Sequence, residues 1–132
     1  MTSHEIGEVG EKIARIYLQA LGWKLLYQNF RAPRGGEVDL VMRGGEKKDL
    51  LIFVEVKTRT RRDFGRPLRA VNLAKQELIK RGASEWLALL GKELHPTENC
   101  DVRRQISWRY DVVEIVLEDG LVPDVNLVES AF

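Results

Sequence analysis

Residues 50–59, Leu50-Leu51-Ile52-Phe53-Val54-Glu55-Val56-Lys57-Thr58-Arg59, carry the strongest strand signal in the chain. The apolar run is far short of the ~20 residues needed to span a bilayer, and its branched and aromatic side chains suit a strand. Alternation puts Ile52, Val54 and Val56 on one face and Phe53, Glu55 and Lys57 on the other. One face is apolar throughout. The other turns from aromatic to charged, so a carboxylate and an amine sit at the end of the most apolar segment, partly shielded from solvent.

The flanking sequence supplies the neighbours of this strand. Residues 5–21 have helical periodicity, with Glu5, Glu8, Lys12, Arg15 and Gln19 on one stripe, Val9, Ile13, Ile16, Tyr17 and Ala20 opposite, and Gly22 as a stop. Residues 23–31 read as a strand and 32–36 as a turn. Residues 37–43 alternate, with Val38, Leu40 and Met42 on one face and Glu37, Asp39 and Val41 on the other, and 44–49 form a hairpin connection. Residues 69–90 read as a long helix carrying Val71, Ala74, Leu78, Trp86 and Leu89. Gly82 inside it costs about 1 kcal/mol against alanine and marks a close packing contact. A polar connection over 91–107, a strand over 110–117 and a final short strand or extended tail complete the chain. The order α-β-β-β-α-β predicts an α/β fold, a central mixed sheet of four to five strands flanked by helices.

Composition narrows the class. The 132 residues, 44% hydrophobic and 31% charged, fit one domain over 1–132 and exclude a disordered chain. The N-terminus has no basic region leading into an apolar stretch, so the expectation is a cytoplasmic protein with no membrane partner. A single cysteine, Cys100, excludes a disulfide framework and a Cys-rich zinc site. The net charge of +1 conceals a segment from Lys57 to Arg69 with six basic residues and one acid. Such a stretch supplies phosphate affinity by counterion release, or is simply a solvated basic loop.

Asp39, Glu55 and Lys57 form the constellation that carries chemistry. A hairpin turning about Lys47 sets Asp39 directly opposite Glu55, with Cβ atoms ~5 Å apart, and like charges so placed destabilise a sheet unless a cation compensates. Two carboxylates with the backbone carbonyl of Val56 make a hard oxygen site suited to Mg2+ or Mn2+ rather than zinc. Such an ion can polarise a phosphoryl oxygen and acidify a bound water, and Lys57 would orient that water. The chemistry implied is phosphodiester hydrolysis. The bland alternative is an exposed Glu55–Lys57 ion pair worth ~0–1 kcal/mol with Asp39 as a strand-end residue. Glu11 leaves the charged stripe of its helix and joins Gly7, Ala14 and Leu18, small residues that allow close packing on the sheet. It either reaches the site edge or remains a partly exposed helix glutamate. Glu37 shares the parity of Asp39, but reads better as a charge at the strand entry.

These residues resemble the PD-(D/E)xK nuclease superfamily, and more closely the YraN-like family of uncharacterised bacterial proteins. The resemblance rests on Gly7-x-x-Gly10-Glu11-x-x-Ala14, Asn29-x-Arg31, Gly36-Glu37-Val38-Asp39-Leu40, Phe53-Val54-Glu55-Val56-Lys57-Thr58-Arg59, Lys75, Tyr110-Asp111-Val112-Val113 and Ala131-Phe132. It implies a restriction-endonuclease-like core similar to archaeal Holliday-junction resolvases. Glu11, Asp39 and Glu55 would then contribute to metal binding and Lys57 would be the catalytic lysine. Arg59, Arg61, Arg62, Arg66 and Lys75 would contact phosphates. Gly36-Glu37-Val38 replaces the proline of the superfamily name before Asp39. The expected activity is a magnesium-dependent endonuclease on branched or damaged DNA. The alternatives are a nucleic-acid-binding module without catalysis and a protein-interaction scaffold. A homodimer and a monomer are both compatible with the sequence.

Overall fold

The computed structural model describes residues 1–61, 71–94 and 106–132. Helix α1 (Ser3–Ala20) is followed by strands β1 (Lys24–Arg31), β2 (Glu37–Gly44) and β3 (Leu50–Thr60), helix α2 (Leu73–Leu94), and strands β4 (Trp108–Leu117) and β5 (Asp124–Val128). Of the short strand or extended tail expected after Gly120, the strand is found, and the helix expected over 69–90 lies four residues further on. One mixed sheet runs in the order β1-β2-β3-β4-β5. All neighbours are antiparallel except β3 and β4, which pair in parallel from Leu51↔Trp108 to Thr60↔Leu117. A parallel pair requires a crossover, and α2 lies in that connection.

The alternation of β3 separates two cores. Ile52 and Val54 pack with Leu40, Met42, Val113 and Ile115 beneath Ala14 and Leu18 of α1. Leu51 and Phe53 pack with Val41 and Val112 beneath Ile79, Ala83 and Leu87 of α2. Both faces of β3 are therefore covered, and a long apolar run is what such a strand requires. Among the described residues, no helix is long and apolar enough to cross a membrane.

The helix faces differ from the periodicity reading. The buried line of α1 is Gly10, Ala14 and Leu18, whereas Val9 and Ile16 are exposed. The buried line of α2 is Ile79, Gly82, Ala83, Leu87 and Gly91, whereas Leu78 and Leu89 are exposed. Small residues set both phases. A Cβ on Gly10 would lie 1.8 Å from Thr58 Oγ1, so α1 meets β3 closest where its side chain is missing. A Cβ on Gly82 would lie 2.7 Å from the Glu37 backbone nitrogen, and one on Gly36 would lie 2.7 Å from the Gly82 nitrogen. The start of β2 and the middle of α2 thus touch backbone to backbone. Gly82 is the close packing contact that its place inside a helix implies.

The C-terminus is held by a buried acid. Asp111, fully buried, accepts hydrogen bonds from Arg109 Nε at 2.9 and 3.1 Å and from the Ser130 amide at 2.9 Å. Burial pushes its carboxyl up, and Arg109 and the Ser130 N–H oppose that rise. The Ala131 amide donates to the Tyr110 carbonyl at 2.8 Å, and the Phe132 ring stacks on Tyr110 at 5.0 Å. Asp111→Ala removes the buried partner of Arg109 Nε, leaving Arg109 only Glu129 and the Trp23 ring among the described residues, and releases the Ser130 amide. A loss of about 3 kcal/mol is expected in denaturant unfolding, with faster amide exchange at Ser130 and Ala131. Unchanged exchange there would show that the Ala131–Tyr110 hydrogen bond and the Phe132 stacking hold the tail without Asp111.

Candidate functional site

The β2–β3 ladder runs from Gly44↔Leu50 to Leu40↔Val54. One step further in the same register sets Asp39 opposite Glu55, beyond the last paired residues. There the Asp39 side chain takes over the ladder's work: its Oδ2 accepts the Val56 amide at 2.8 Å. On the other side, Gln28↔Leu40 and Phe30↔Val38 pair, and Asn29, opposite Asp39, is skipped with φ of 54°. Asparagine visits this left-handed region more readily than most residues. Asp39 therefore lies at a gap in both ladders. The expected single apolar face of β2 breaks at this point, since Val38 packs on the α2 side and Leu40 and Met42 on the α1 side.

The Glu55 carboxylate is buried, with 7% of the residue exposed. Burial and the Asp39 charge push its pKa up to about 7, while Lys75 pulls it down. Its Oε2 is buried without a hydrogen-bond partner. Glu11 is also raised by burial and by Asp39, which brings it into the same field, with Arg31 opposing. The three acids line one open cleft of about 620 Å³, together with Val56, Asn29, Arg31, Thr58 and Arg59.

The cations are arranged differently from the sequence reading. Lys57 lies outside this cleft, in a smaller cavity of about 170 Å³ with Gln76 and Phe132. The parallel register sets it across from Glu114. The amine at the carboxylates is Lys75 of α2, which bonds Glu37 and places Nζ 3.5 Å from Glu55 Oε1. Arg31 also bonds Glu37. Arg59 lines the cleft. Arg61 pairs with Glu118 at 3.1 Å and with Asp124. Arg62 and Arg66 lie outside the described residues.

The side chains present suit a divalent cation in part. A buried carboxylate oxygen without a partner, a second carboxylate beside it and an adjacent backbone provide hard oxygen donors in the Mg2+ or Mn2+ class. In this side-chain arrangement, no group of three His, Cys, Asp or Glu among the described residues is drawn together tightly enough to hold a metal. Glu11 shares the cleft and the field of Asp39 without closing on the pair.

Sequence reasoning passed over Glu37 as an entry charge. The structure gives it two cationic partners and a place between β2 and α2. The available signal was helical spacing: Lys75 precedes Gly82 by seven residues, two turns, and so shares its face. Once Gly82 is pressed on the Glu37 backbone, Lys75 is carried to the same strand end.

The model of the uncharacterised protein family UPF0102 matches residues 10–115. The chain belongs to this family. A UPF0102 protein of Symbiobacterium thermophilum is 41% identical over 134 residues, covering 98% of each chain. One from Trichlorobacter lovleyi is 36% identical over 127 residues, covering 96% of this chain and 89% of that protein. One from Caldicellulosiruptor saccharolyticus is 35% identical over 133 residues, across the whole of both. The UPF0102 span contains Glu11, Asp39, Glu55, Lys57 and Lys75, so these three carboxylates belong to the matched region.

Proposed function

We propose that this UPF0102 protein is a divalent-metal-dependent endonuclease that hydrolyses phosphodiester bonds in DNA, with Glu55, Asp39 and the Val56 carbonyl as the metal ligands and Glu11 as a third carboxylate at the cleft edge. The observation that carries the reading is the unpartnered, buried Oε2 of Glu55 beside the Asp39 carboxylate. Burying like charges together is costly unless a cation joins them. When bound, Mg2+ or Mn2+ would supply charge to a phosphoryl oxygen and to an attacking water.

The chain's own groups divide the remaining work. The Val56 amide fixes Asp39. Arg59 and Arg31 are the arginines on the cleft wall that would meet a phosphate backbone once a cation offsets the carboxylates. Lys57 follows Glu55 on the same strand but lines a neighbouring cavity, so it is given no role at the reacting phosphate, and the amine at the carboxylates is Lys75. The open, polar cleft fits a nucleic-acid backbone better than a small apolar ligand. Cytoplasmic DNA with branches or damage is the proposed substrate.

The test is cleavage of flap, branched and single-stranded DNA with Mg2+ or Mn2+. Wild-type protein should cut only with metal, and Asp39→Ala should not cut at all. Cutting that survives Asp39→Ala would remove the assignment. Salt-dependent binding without cutting by the wild type would point instead to a binding module with a nuclease-like fold.

A further inference from the structure

Lys75 stands on the carboxylates rather than on open surface. Its ammonium bonds Glu37 and lies 3.5 Å from Oε1 of Glu55, the oxygen next to the unpartnered Oε2. Glu37 is also bonded by Arg31, so it is doubly compensated, whereas Lys75 is the cation placed against Glu55. The placement is built into the backbone. The contact of Gly82 with the Glu37 main chain fixes the depth and rotation of α2, and two turns earlier that same face delivers Lys75.

We propose that Lys75 is an internal counter-ion of the site, bridging Glu37 and Glu55 in the metal-free protein, competing with a divalent cation for Glu55, and keeping only its bond to Glu37 when the cation binds. The inference rests on the reading of Asp39 and Glu55 as a cation site and adds a residue that opposes binding there. Glu37 is then the acceptor that keeps the amine once Glu55 is released, and Arg31 holds Glu37 in place. An ammonium beside a ligand carboxylate both occupies its lone pairs and repels an incoming cation, so removing the ammonium charge tightens the site. A residue that merely braced the fold would do the reverse, since its loss would loosen the ligands.

The experiment is calorimetric titration of Mn2+ into the whole chain, without nucleic acid, at fixed pH and ionic strength. Lys75→Met should bind Mn2+ about tenfold more tightly than wild type, and Lys75→Arg should stay within about twofold. Glu37→Gln should bind more weakly, because the amine then has only Glu55 to pair with. Circular dichroism checks that each variant is folded, and Lys75→Gln replaces Lys75→Met if the latter is not. Equal or weaker binding by the folded Lys75 variant, with wild-type binding still dependent on Asp39, would overturn the proposal and leave the cation site standing. No Asp39-dependent binding in wild type or variants would overturn both.

Discussion

Replacing Glu55 with glutamine should stabilise the metal-free protein above neutral pH while abolishing its response to Mn2+. Burial and Asp39 raise the Glu55 pKa from 4.5 to about 7, so the folded state holds the proton more tightly than the unfolded chain does. Between those two values the unfolded chain has lost the proton and the folded chain has not. Wild-type stability should therefore fall as pH rises through this window and level off above it. The loss is on the order of 3 kcal/mol, with the opposing pull of Lys75 already contained in that pKa. Glutamine keeps the shape and carries no charge, so Glu55→Gln should gain most of that amount above pH ~7 and nothing at pH ~4. Urea unfolding across this range measures the difference. In saturating Mn2+ the order should reverse, because only the wild type has the second carboxylate. A Glu55→Gln protein less stable than wild type at every pH would mean that the carboxylate is satisfied in the fold and has no need of an ion.

Gly82→Ala should cost about 2–3 kcal/mol, well above the ordinary gain that alanine brings to a helix interior. The added methyl would meet backbone at 2.7, 2.9 and 3.0 Å, all from Glu37, and a strand main chain cannot turn aside as a flexible side chain can. Helix α2 must move outward, and Lys75 moves with it. Gly36→Ala should act in the same direction, since its methyl would strike the Gly82 nitrogen. The two losses should not add, because both force the same pair of backbones apart. Denaturant midpoints of the two single variants and the double variant check this. Gly82→Ala within about 0.5 kcal/mol of wild type would contradict the close approach.

The strand content was legible because both faces of β3 are buried, and a buried strand shows its apolar run directly. The hairpin register followed from the same residues: Leu40↔Val54 is the pairing expected of a turn about Lys47. The helix faces were less legible. Gly10, Ala14, Gly82 and Ala83 bury themselves because they are small, which hydrophobic periodicity does not record. Proximity of Asp39 to Glu55 was readable from register. The break in alternation at Asp39 was not, since it shows only in the packing of Val38 toward one helix and of Leu40 and Met42 toward the other. Lys57 was expected beside the carboxylates because it shares their parity. The structure brings Lys75 there from a helix 20 residues beyond Glu55, a contact that only tertiary packing creates.

Anomalous diffraction from a crystal of this protein soaked in Mn2+ tests the central claim most directly. A single strong peak is expected in the cleft, bound by Glu55 Oε2, a carboxylate oxygen of Asp39 and the Val56 carbonyl, with Lys75 drawn away from Glu55 and left on Glu37 alone. A crystal that takes up manganese elsewhere, with Glu55 still held by Lys75 and no peak between Asp39 and Glu55, would contradict it.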